Sequence, residues 1–361
     1  MASFRKAYLL KQRYSARMLR QRGIHGVGVG FKEPSKPHKG AALIVYADAI
    51  SAASGKNRKG KSKPKALSLP AKLKAEIPVR IVRSTKFHKN SLLPSRFRRR
   101  IRPVPAGYSV GTPNVSGTVG LIVSDKKKPG SRFILSNNHV LVNENSNRPS
   151  ATIQPGGADG GTVPRDKIGS VQRFVKLHKN KPNFLDAALS KPLRRNLLSP
   201  SYAVYGNVPG FVRSYAIGDK FKKVGRTTGA VTGTVESIHT DIQVNYGDYG
   251  NLGTITFKNQ SVIRGKRPVS LGGDSGSVWL TRRGNLAAAV NFAGTEEGRL
   301  SIAYPVEWFM KVFGTRVARS GRPSILAPAR GGKQKYMCVR PLGRKTEKAL
   351  RPKQCRFVSK S

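Results

Sequence analysis

From Val110 to about residue 304, the chain is a succession of short apolar runs separated by glycine, proline, asparagine and aspartate. Runs of this length with turn residues between them are typical of β-strands, and many of them in series indicate a β-sandwich or a β-barrel. The sequence therefore predicts a mainly β fold here, closed by one helix over 305–313. The candidate strands are 117–123, 132–135, 168–175, 187–190, 220–224, 231–238, 241–246, 253–257, 277–280, 286–292 and 300–303.

The chain before this region has a different pattern. Residues 2–22 place apolar side chains at helical spacing among basic ones and precede Gly23, which indicates an amphipathic helix. Strands are expected over 24–31, 41–46 and 77–82, with a Lys/Gly/Ser linker over 54–65. We predict a small basic α/β N-terminal domain over 1–85, a basic connector over 86–104, a domain over 105–316 and a flexible basic tail over 317–361.

Basic residues dominate the composition. The 361 residues include 68 Lys and Arg against 17 Asp and Glu, a formal net charge of +51. The first hundred residues hold 26 of the basic residues and only three acidic ones, so they cannot neutralise one another. Such a surface attracts polyanions, among them nucleic acid, acidic protein segments and anionic membranes. Net charge is informative about partners and does not select one of them.

Cysteine and hydropathy patterns bear on where the protein resides. The only cysteines, Cys338 and Cys355, lie in the predicted tail, where reduced thiols are favoured over a disulfide. No apolar run approaches the roughly 20 residues of a membrane helix, and the N-terminus has no apolar core typical of a secretory signal. Together these features favour a cytoplasmic location.

The segment 272–277, Gly-Gly-Asp-Ser-Gly-Ser, places a serine between glycines. Glycine permits a tight backbone turn, which can aim two N–H groups at one point. The N–H groups of Gly273 and Ser275 would then form an oxyanion hole beside a nucleophilic Ser275. A glycine-rich hairpin between strands is the alternative, and partners elsewhere in the chain decide between the two.

Two residues upstream provide such partners. His139 ends an apolar strand in the segment Leu-Ser-Asn-Asn-His-Val-Leu, and Asp186 begins another in Asn-Phe-Leu-Asp-Ala-Ala-Leu. Alone, each has an ordinary explanation as a loop residue or a cap. Together with Ser275 they follow the order His, Asp, Ser, separated by 186 − 139 = 47 and 275 − 186 = 89 residues. Each can therefore come from a different β-hairpin.

These three segments resemble the catalytic blocks of trypsin/chymotrypsin-like serine peptidases, most closely the bacterial members without disulfides. The segments 154–156, 159–163 and 167–169 are similar to the first half of that fold, and 223–229 with 232–235 are similar to the start of the second. The resemblance covers roughly residues 24–313. It implies two six-stranded antiparallel β-barrels of the chymotrypsin-like type, preceded by the small N-terminal domain and flanked by disordered basic tails.

The resemblance also implies roles for individual residues. Ser275 would attack a scissile carbonyl, His139 would carry the proton and Asp186 would stabilise the imidazolium. Asp274 would be a structural carboxylate near the nucleophile. The residues that would pair with the backbone of a protein or peptide substrate are Asn291, Phe292, Ala293 and Gly294. The family needs no cofactor and no metal ion.

Two features depart from the family. No activation cleavage is evident that would supply a new N-terminus to Asp274, so a zymogen switch of the trypsin type is not expected. The floor of the specificity pocket should fall near Val269, which carries no charge. Lys266 and Arg267 lie close in sequence and favour either an acidic substrate residue or simple surface exposure, so the preferred substrate residue stays open.

Three functions are compatible with these features. The first is an active serine endopeptidase. The second is a catalytically silent peptidase fold that binds nucleic acid or another polyanion, with an affinity that falls steeply with salt. The third combines the two, with basic arms over 1–104 and 317–361 that hold a peptidase on a polyanion.

Overall fold

The structure, a computed structural model, describes residues 1–48, 69–84, 87–88, 96–319, 325–328 and 335–355. The basic linker predicted over 54–65 lies outside these residues. Strands predominate, which confirms the mainly β prediction. No helix in the described ranges is both long and apolar enough to cross a lipid bilayer.

The helices are α1 Phe4–Leu19, α2 Ala71–Glu76, α3 Asn138–Leu141, α4 Val306–Phe313 and α5 Arg344–Ala349. The strands are β1 Ile24–Phe31, β2 Ala41–Ala47, β3 Val79–Arg83, β4 Phe87–His88, β5 Val104–Ala106, β6 Ser109–Thr112, β7 Val115–Thr118, β8 Leu121–Asp125, β9 Arg132–Ser136, β10 Ala151–Ile153, β11 Lys167–Phe174, β12 Ala188–Pro192, β13 Leu198–Tyr202, β14 Gly206–Asn207, β15 Gly210–Val212, β16 Lys220–Gly225, β17 Gly229–Asn245, β18 Thr254–Arg264, β19 Val278–Thr281, β20 Ala287–Gly294, β21 Leu300–Pro305, β22 Thr315–Val317, β23 Ile325–Ala327 and β24 Lys353–Gln354.

Helix α1 confirms the amphipathic helix predicted at the N-terminus. The Ser3 hydroxyl accepts a hydrogen bond from the Lys6 N–H at 3.1 Å and so caps the first turn. Its buried residues Phe4, Ala7 and Leu10 join the core formed with β1 and β2. The apolar stripe of the helix therefore faces the sheet, and most of its basic side chains point to solvent.

The leading strands join the sheet of the C-terminal half. β1 pairs antiparallel with β17, with Gly26 opposite Ile242 and Gly30 opposite Ser237, and β2 and β3 continue outward from β1. A side chain at Gly28 would overlap the Thr240 hydroxyl, so the glycines of β1 allow its close approach to β17. An N-terminal α/β domain that stands apart is therefore not confirmed, and the sequence-based domain boundaries stay predictions.

The larger sheet has twelve strands. Its main path runs β16, β19, β20, β21, β18, β17, β1, β2 and β3, and β16 pairs in addition with β17. The nine-stranded sheet runs β22, β8, β9, β12, β11, β10, β6 and β7, with β24 beside β11. A sheet of three strands, β14, β13 and β5, completes the structure.

Two closed barrels, as the sequence predicts, are not confirmed. The end strands of the nine-stranded sheet, β22 and β7, do not pair with each other among the described residues. At the end of β7, the Thr118 N–H donates instead to the Ser275 carbonyl at 2.8 Å. This strand end is therefore bonded to the Ser275 turn and not to a neighbour that would close the sheet.

The predicted tail over 317–361 forms ordered elements where it is described. β24 pairs with β11, and Val339 and Leu342 are buried in the core. Apolar side chains that reach a core offset the entropy of ordering their segment. The flexible-tail prediction is therefore not confirmed for 335–355. Cys338 and Cys355 form no disulfide within this part of the structure.

A buried ion pair joins α1 to β17. Lys11 Nζ lies 2.5 Å from Asp241 Oδ1, and each side chain is 1% exposed. Ser15 and Lys258 donate to Asp241 Oδ2, each at 2.8 Å. Burial lowers the pKa of Lys11 to about 8, although the Asp241 charge opposes this shift. The Lys11 and Lys258 charges outweigh burial at Asp241 and hold its pKa below the usual range.

We expect Asp241→Asn to lower the free energy of unfolding by about 3–5 kcal/mol, because the substitution leaves the buried Lys11 charge without its counterion. Urea denaturation followed by circular dichroism measures this change. The matched control is Glu33→Gln, which breaks the exposed Lys39–Glu33 pair and should cost less than about 1 kcal/mol. Equal losses in the two variants would contradict a structural role for the buried pair.

Candidate active site

Strand pairing brings His139 and Asp186 together. His139 lies in α3 directly after β9, and Asp186 lies two residues before β12. β9 and β12 pair antiparallel with Ala188 opposite Ser136, so the end of one strand meets the start of the other. The Asn137 amide donates to the Asp186 carbonyl at 2.6 Å and holds the two segments in place. Two residues 47 positions apart thus become direct neighbours.

The contacts between His139 and Asp186 fix the imidazole. His139 Nδ1 lies 2.5 Å from Asp186 Oδ2, and the His139 backbone N–H donates to Asp186 Oδ1 at 3.3 Å. The Asp186 side chain is fully buried and that of His139 is 5% exposed. An ionised carboxylate only accepts hydrogen bonds, so Nδ1 carries the hydrogen and Nε2 is left as the acceptor. This is the tautomer that a general base requires.

Tyr246 is a second donor to the same carboxylate. Its hydroxyl donates to Asp186 Oδ2 at 2.6 Å, and its ring meets the His139 ring edge to face, with centroids 5.6 Å apart. Burial first, and then the Asp186 charge and the hydrogen bond to it, raise the Tyr246 pKa well above the usual value. The phenol is therefore neutral and stays a donor, which fixes the orientation of Asp186.

Ser275 lies in a turn shaped by two glycines. Gly273 and Gly276 have φ values of +87° and +92°, a region that side chains other than glycine rarely adopt. Ser275 is 7% exposed, and its hydroxyl donates to the Phe292 carbonyl at 3.3 Å. Between the described residues, no hydrogen bond joins the Ser275 hydroxyl to His139. The hydroxyl must rotate away from Phe292 to reach an acceptor on the imidazole.

Gly117 shows how near Ser275 lies to the histidine segment. A Cβ added to Gly117 would lie 2.6 Å from Val140 Cγ1 and 2.9 Å from the Ser275 carbonyl oxygen. Val140 directly follows His139 in α3. The same β-strand residue therefore contacts both the Ser275 turn and the residue beside His139, which brings all three predicted residues to one region.

Asp274 is buried and supports the turn from within. Its Oδ1 accepts from the Thr227 and Thr228 N–H groups at 3.0 and 3.1 Å, and its Oδ2 accepts from the Leu271 N–H at 2.9 Å. Lys223 Nζ lies 3.7 Å from Oδ2, with both side chains fully buried. Burial lowers the Lys223 pKa, and the Asp274 charge opposes this shift. An internal lysine thus supplies a cation to Asp274.

The turn leaves two backbone N–H groups for a ligand. The N–H groups of Asp274, Gly276 and Ser277 donate to backbone carbonyls within the structure. Over the described part of the chain, no acceptor is assigned to the N–H groups of Gly273 and Ser275, the two proposed oxyanion donors. A side chain at position 273 would also overlap the Arg226 guanidinium, so glycine is required there on two grounds.

The four predicted substrate-binding residues end β20, yet they differ in what they can bind. The Asn291 N–H and carbonyl already bond to Ser277 and Gly276, and its buried amide donates to the Asp274 carbonyl at 3.1 Å. Asn291 therefore supports the Ser275 turn. Phe292 accepts from Ser275, and Gly294 pairs with His88 of β4.

The residues around the predicted specificity pocket separate into two groups. Val269 is buried, with its N–H bonded to the Gly298 carbonyl at 2.7 Å. Lys266 and Arg267 are exposed, so simple surface exposure accounts for their charge. The preferred substrate residue stays open.

Sequence reasoning missed Tyr246 and Lys223 as parts of the site. Both lie in segments predicted as strands, and Lys223 also begins the segment 223–229, but no motif marks either side chain as the partner of an aspartate. The available signal for Lys223 was its position two residues after Phe221, on the strand face that this apolar side chain marks as buried, because a buried charge needs a counterion. Tyr246 gave no such signal.

Comparison with solved structures finds bacterial chymotrypsin/trypsin-like serine proteases. A glutamic-acid-specific serine protease with a histidine triad in substrate binding matches with 20% identity over 59% of this chain and 100% of its own, at a TM-score of 0.42. Protease A of Thermobifida fusca matches with 18% identity over 60% and 99%, at 0.43. Cellulomonas bogoriensis chymotrypsin matches with 19% identity over 60% and 99%, at 0.42. No protein-family model and no curated protein matches the chain.

We expect Tyr246→Phe to slow the reaction of Ser275 with a fluorophosphonate about tenfold, because Asp186 loses one charge-assisted hydrogen bond that orients it. The measurement is the second-order rate of labelling by a fluorescent fluorophosphonate. The matched control is Tyr205→Phe, which removes the hydroxyl of a half-buried tyrosine that stacks on Tyr202. Labelling of the two variants at one rate would show that the Tyr246 hydroxyl does not support the site.

Proposed function

We propose that this chain is a serine endopeptidase that hydrolyses peptide bonds through Ser275, His139 and Asp186. The observation that carries the proposal is the buried His139–Asp186 pair, with Nδ1 held 2.5 Å from a carboxylate oxygen. That contact leaves His139 Nε2 as a base in the region of Ser275. The turn around Ser275 also presents two N–H groups that have no acceptor among the described residues. A histidine held in this way serves acyl transfer, whereas a purely structural ion pair needs no neighbouring nucleophile.

In the first half of the reaction, the Ser275 hydroxyl turns from Phe292 to His139. Nε2 takes the proton as Oγ attacks the substrate carbonyl carbon. The carbonyl oxygen gains negative charge, which the Gly273 and Ser275 N–H groups stabilise. Asp186 stabilises the imidazolium that forms. The tetrahedral intermediate then breaks its C–N bond, and the imidazolium gives its proton to the leaving amine.

In the second half, water attacks the Ser275 ester. His139 takes a proton from the water and returns it to Ser275 Oγ as the acyl bond breaks. Both halves use the same base and the same N–H groups, so the Ser275 turn must keep one shape throughout. The Asp274 carboxylate, held by Lys223 and three backbone N–H groups, fixes that shape. None of these steps needs a metal ion or a cofactor.

We also propose a chymotrypsin-like frame over 105–316. In the larger sheet, the extra pairing of β16 with β17 joins the ends of the path β16, β19, β20, β21, β18 and β17, which supports one six-stranded barrel. The nine-stranded sheet supplies β8 to β12 to a second unit. His139 and Asp186 belong to this second unit and Ser275 to the first, so the site lies where the two units meet.

The polyanion alternative rests on charge. Nothing in the described part of the chain favours nucleic acid over any other anionic partner. Net charge accounts for such binding equally with or without peptidase activity, so it does not compete with the geometry of His139, Asp186 and Ser275. Polyanion binding therefore remains a prediction from composition, alongside the proposed peptidase activity.

We expect a fluorophosphonate to label the full-length protein at Ser275, and Ser275→Ala to abolish the labelling. Mass spectrometry of the labelled peptide identifies the modified serine. The matched control is Ser277→Ala in the same turn, whose hydroxyl donates to the Asp274 carbonyl and which should keep labelling at Ser275. Folded wild-type protein that fails to react would refute the peptidase.

We further expect Asp186→Asn to lower the rate of peptide hydrolysis by about four orders of magnitude, because an amide in place of the carboxylate favours the wrong imidazole tautomer. The rate is measured on denatured casein or a mixed peptide pool, since the preferred sequence is open. Exposed Asp248→Asn is the control. A loss below about tenfold in Asp186→Asn would exclude the general-base role of the pair.

A further inference from the structure

Strand β4 occupies an unusual position for a segment that precedes the proposed peptidase region. Its His88 pairs antiparallel with Gly294 of β20. On its other side, Phe87 and His88 pair parallel with Val244 and Asn245 of β17. The backbone of β4 therefore lies between two strands and pairs with both of them.

The β20 edge at Gly294 is the edge that a substrate would need. Gly294 lies two residues beyond Phe292, whose carbonyl accepts the Ser275 hydroxyl. At roughly 3.3 Å per residue, this separation is about 7 Å along the strand. A substrate whose scissile carbonyl reached Ser275 would run along Phe292 to Gly294 as an added strand. It would therefore compete with His88 for the same backbone edge.

Strand β17 borders the position of β4 on the side opposite β20, so β4 lies in a slot between two strand edges. β1 covers the same edge of β17 only as far as Ile242, which pairs with Gly26. Beyond that point the edge continues through Val244 and Asn245, where β4 pairs. Tyr246 follows directly and donates to Asp186. The slot is thus continuous with the proposed catalytic residues and suited to the backbone of an extended peptide.

We propose that β4 is an internal competitor of substrate, which occupies the peptide slot between β17 and β20. This inference rests on the proposed peptidase function. A strand of two residues makes few hydrogen bonds, so an extended peptide can displace it. A tethered segment nevertheless acts at a high effective concentration, which lowers the apparent affinity of the slot for every outside peptide. The sequence before the peptidase region would in this way set how readily substrates enter.

The test uses two probes of different size on the full chain. A small fluorophosphonate reports the reactivity of Ser275 without using the slot. A set of acetylated tetrapeptidyl diphenyl phosphonates with different final side chains reports entry through the slot. His88→Pro removes the His88 N–H and disfavours strand pairing, whereas the matched control His88→Ala keeps the backbone donor.

We expect His88→Pro to raise the rate of labelling by the peptidyl phosphonates about tenfold and to leave labelling by the small probe unchanged. His88→Ala should stay within about twofold of wild type with both probes. The proposal would be overturned if the rate of labelling by the peptidyl phosphonates, divided by the rate of labelling by the small probe, were the same in His88→Pro and His88→Ala. Should His88→Pro lose its fold by circular dichroism, the double variant Phe87→Gly with His88→Gly replaces it.

A binding measurement separates this inference from the proposed function. On the Ser275→Ala background, fluorescence anisotropy follows the binding of a fluorescein-labelled tetrapeptide pool without any reaction at the serine. Tighter binding in His88→Pro than in His88→Ala supports the proposal that β4 competes with substrate. This holds even if neither phosphonate labels the wild-type protein, because that result would refute only the proposed peptidase activity. Equal binding in these two variants refutes the competitor, whatever the small probe shows.

Discussion

Buried carboxylates hold together segments that are far apart in the sequence. With 17 acidic residues against 68 basic ones, each carboxylate inside the protein has several donors competing for it. Asp241 joins α1 to β17 through Lys11. Asp274 joins the Ser275 turn to the end of β16 through Lys223 and backbone N–H groups. Asp186 orients His139 and receives Tyr246. The shape of the site therefore depends on charges that are scarce in the chain as a whole.

This distribution explains the surface as well. Asp241 and Asp274 are offset by the buried Lys11 and Lys223, so the excess of basic over acidic side chains is carried by the surface. Asp274 and Asp186 are fully buried, and the Asp241 side chain is 1% exposed. Attraction of polyanions is a long-range consequence of this imbalance. The chemistry proposed at Ser275 is short-range and would be set by the internal carboxylates, so the two properties can vary independently.

The sequence predicts local structure well, because this depends on neighbours in the chain. Strand β1 was delimited at Ile24–Phe31 as the structure has it, and the glycines around Ser275 adopt the turn that their composition implies. Long-range register was not accessible. The pairing of β1 with β17 depends on which side chains are absent at Gly28, and the bond from Tyr246 to Asp186 depends on pairing across several strands. Neither leaves a local pattern.

Strand β20 contacts both the Ser275 hydroxyl and strand β4. In the structure, the Phe292 carbonyl holds the Ser275 hydroxyl, and Gly294 holds the backbone of β4. If the proposed function holds, a peptide that enters along β20 would displace β4 first, and its backbone would then compete for the edge near Phe292. Loss of the Phe292 hydrogen bond would free the serine to turn toward His139. Because both contacts belong to one strand, filling of the slot would be coupled to alignment of the proposed nucleophile, whereas a small molecule that reaches only Ser275 would have to break the Phe292 bond without that help.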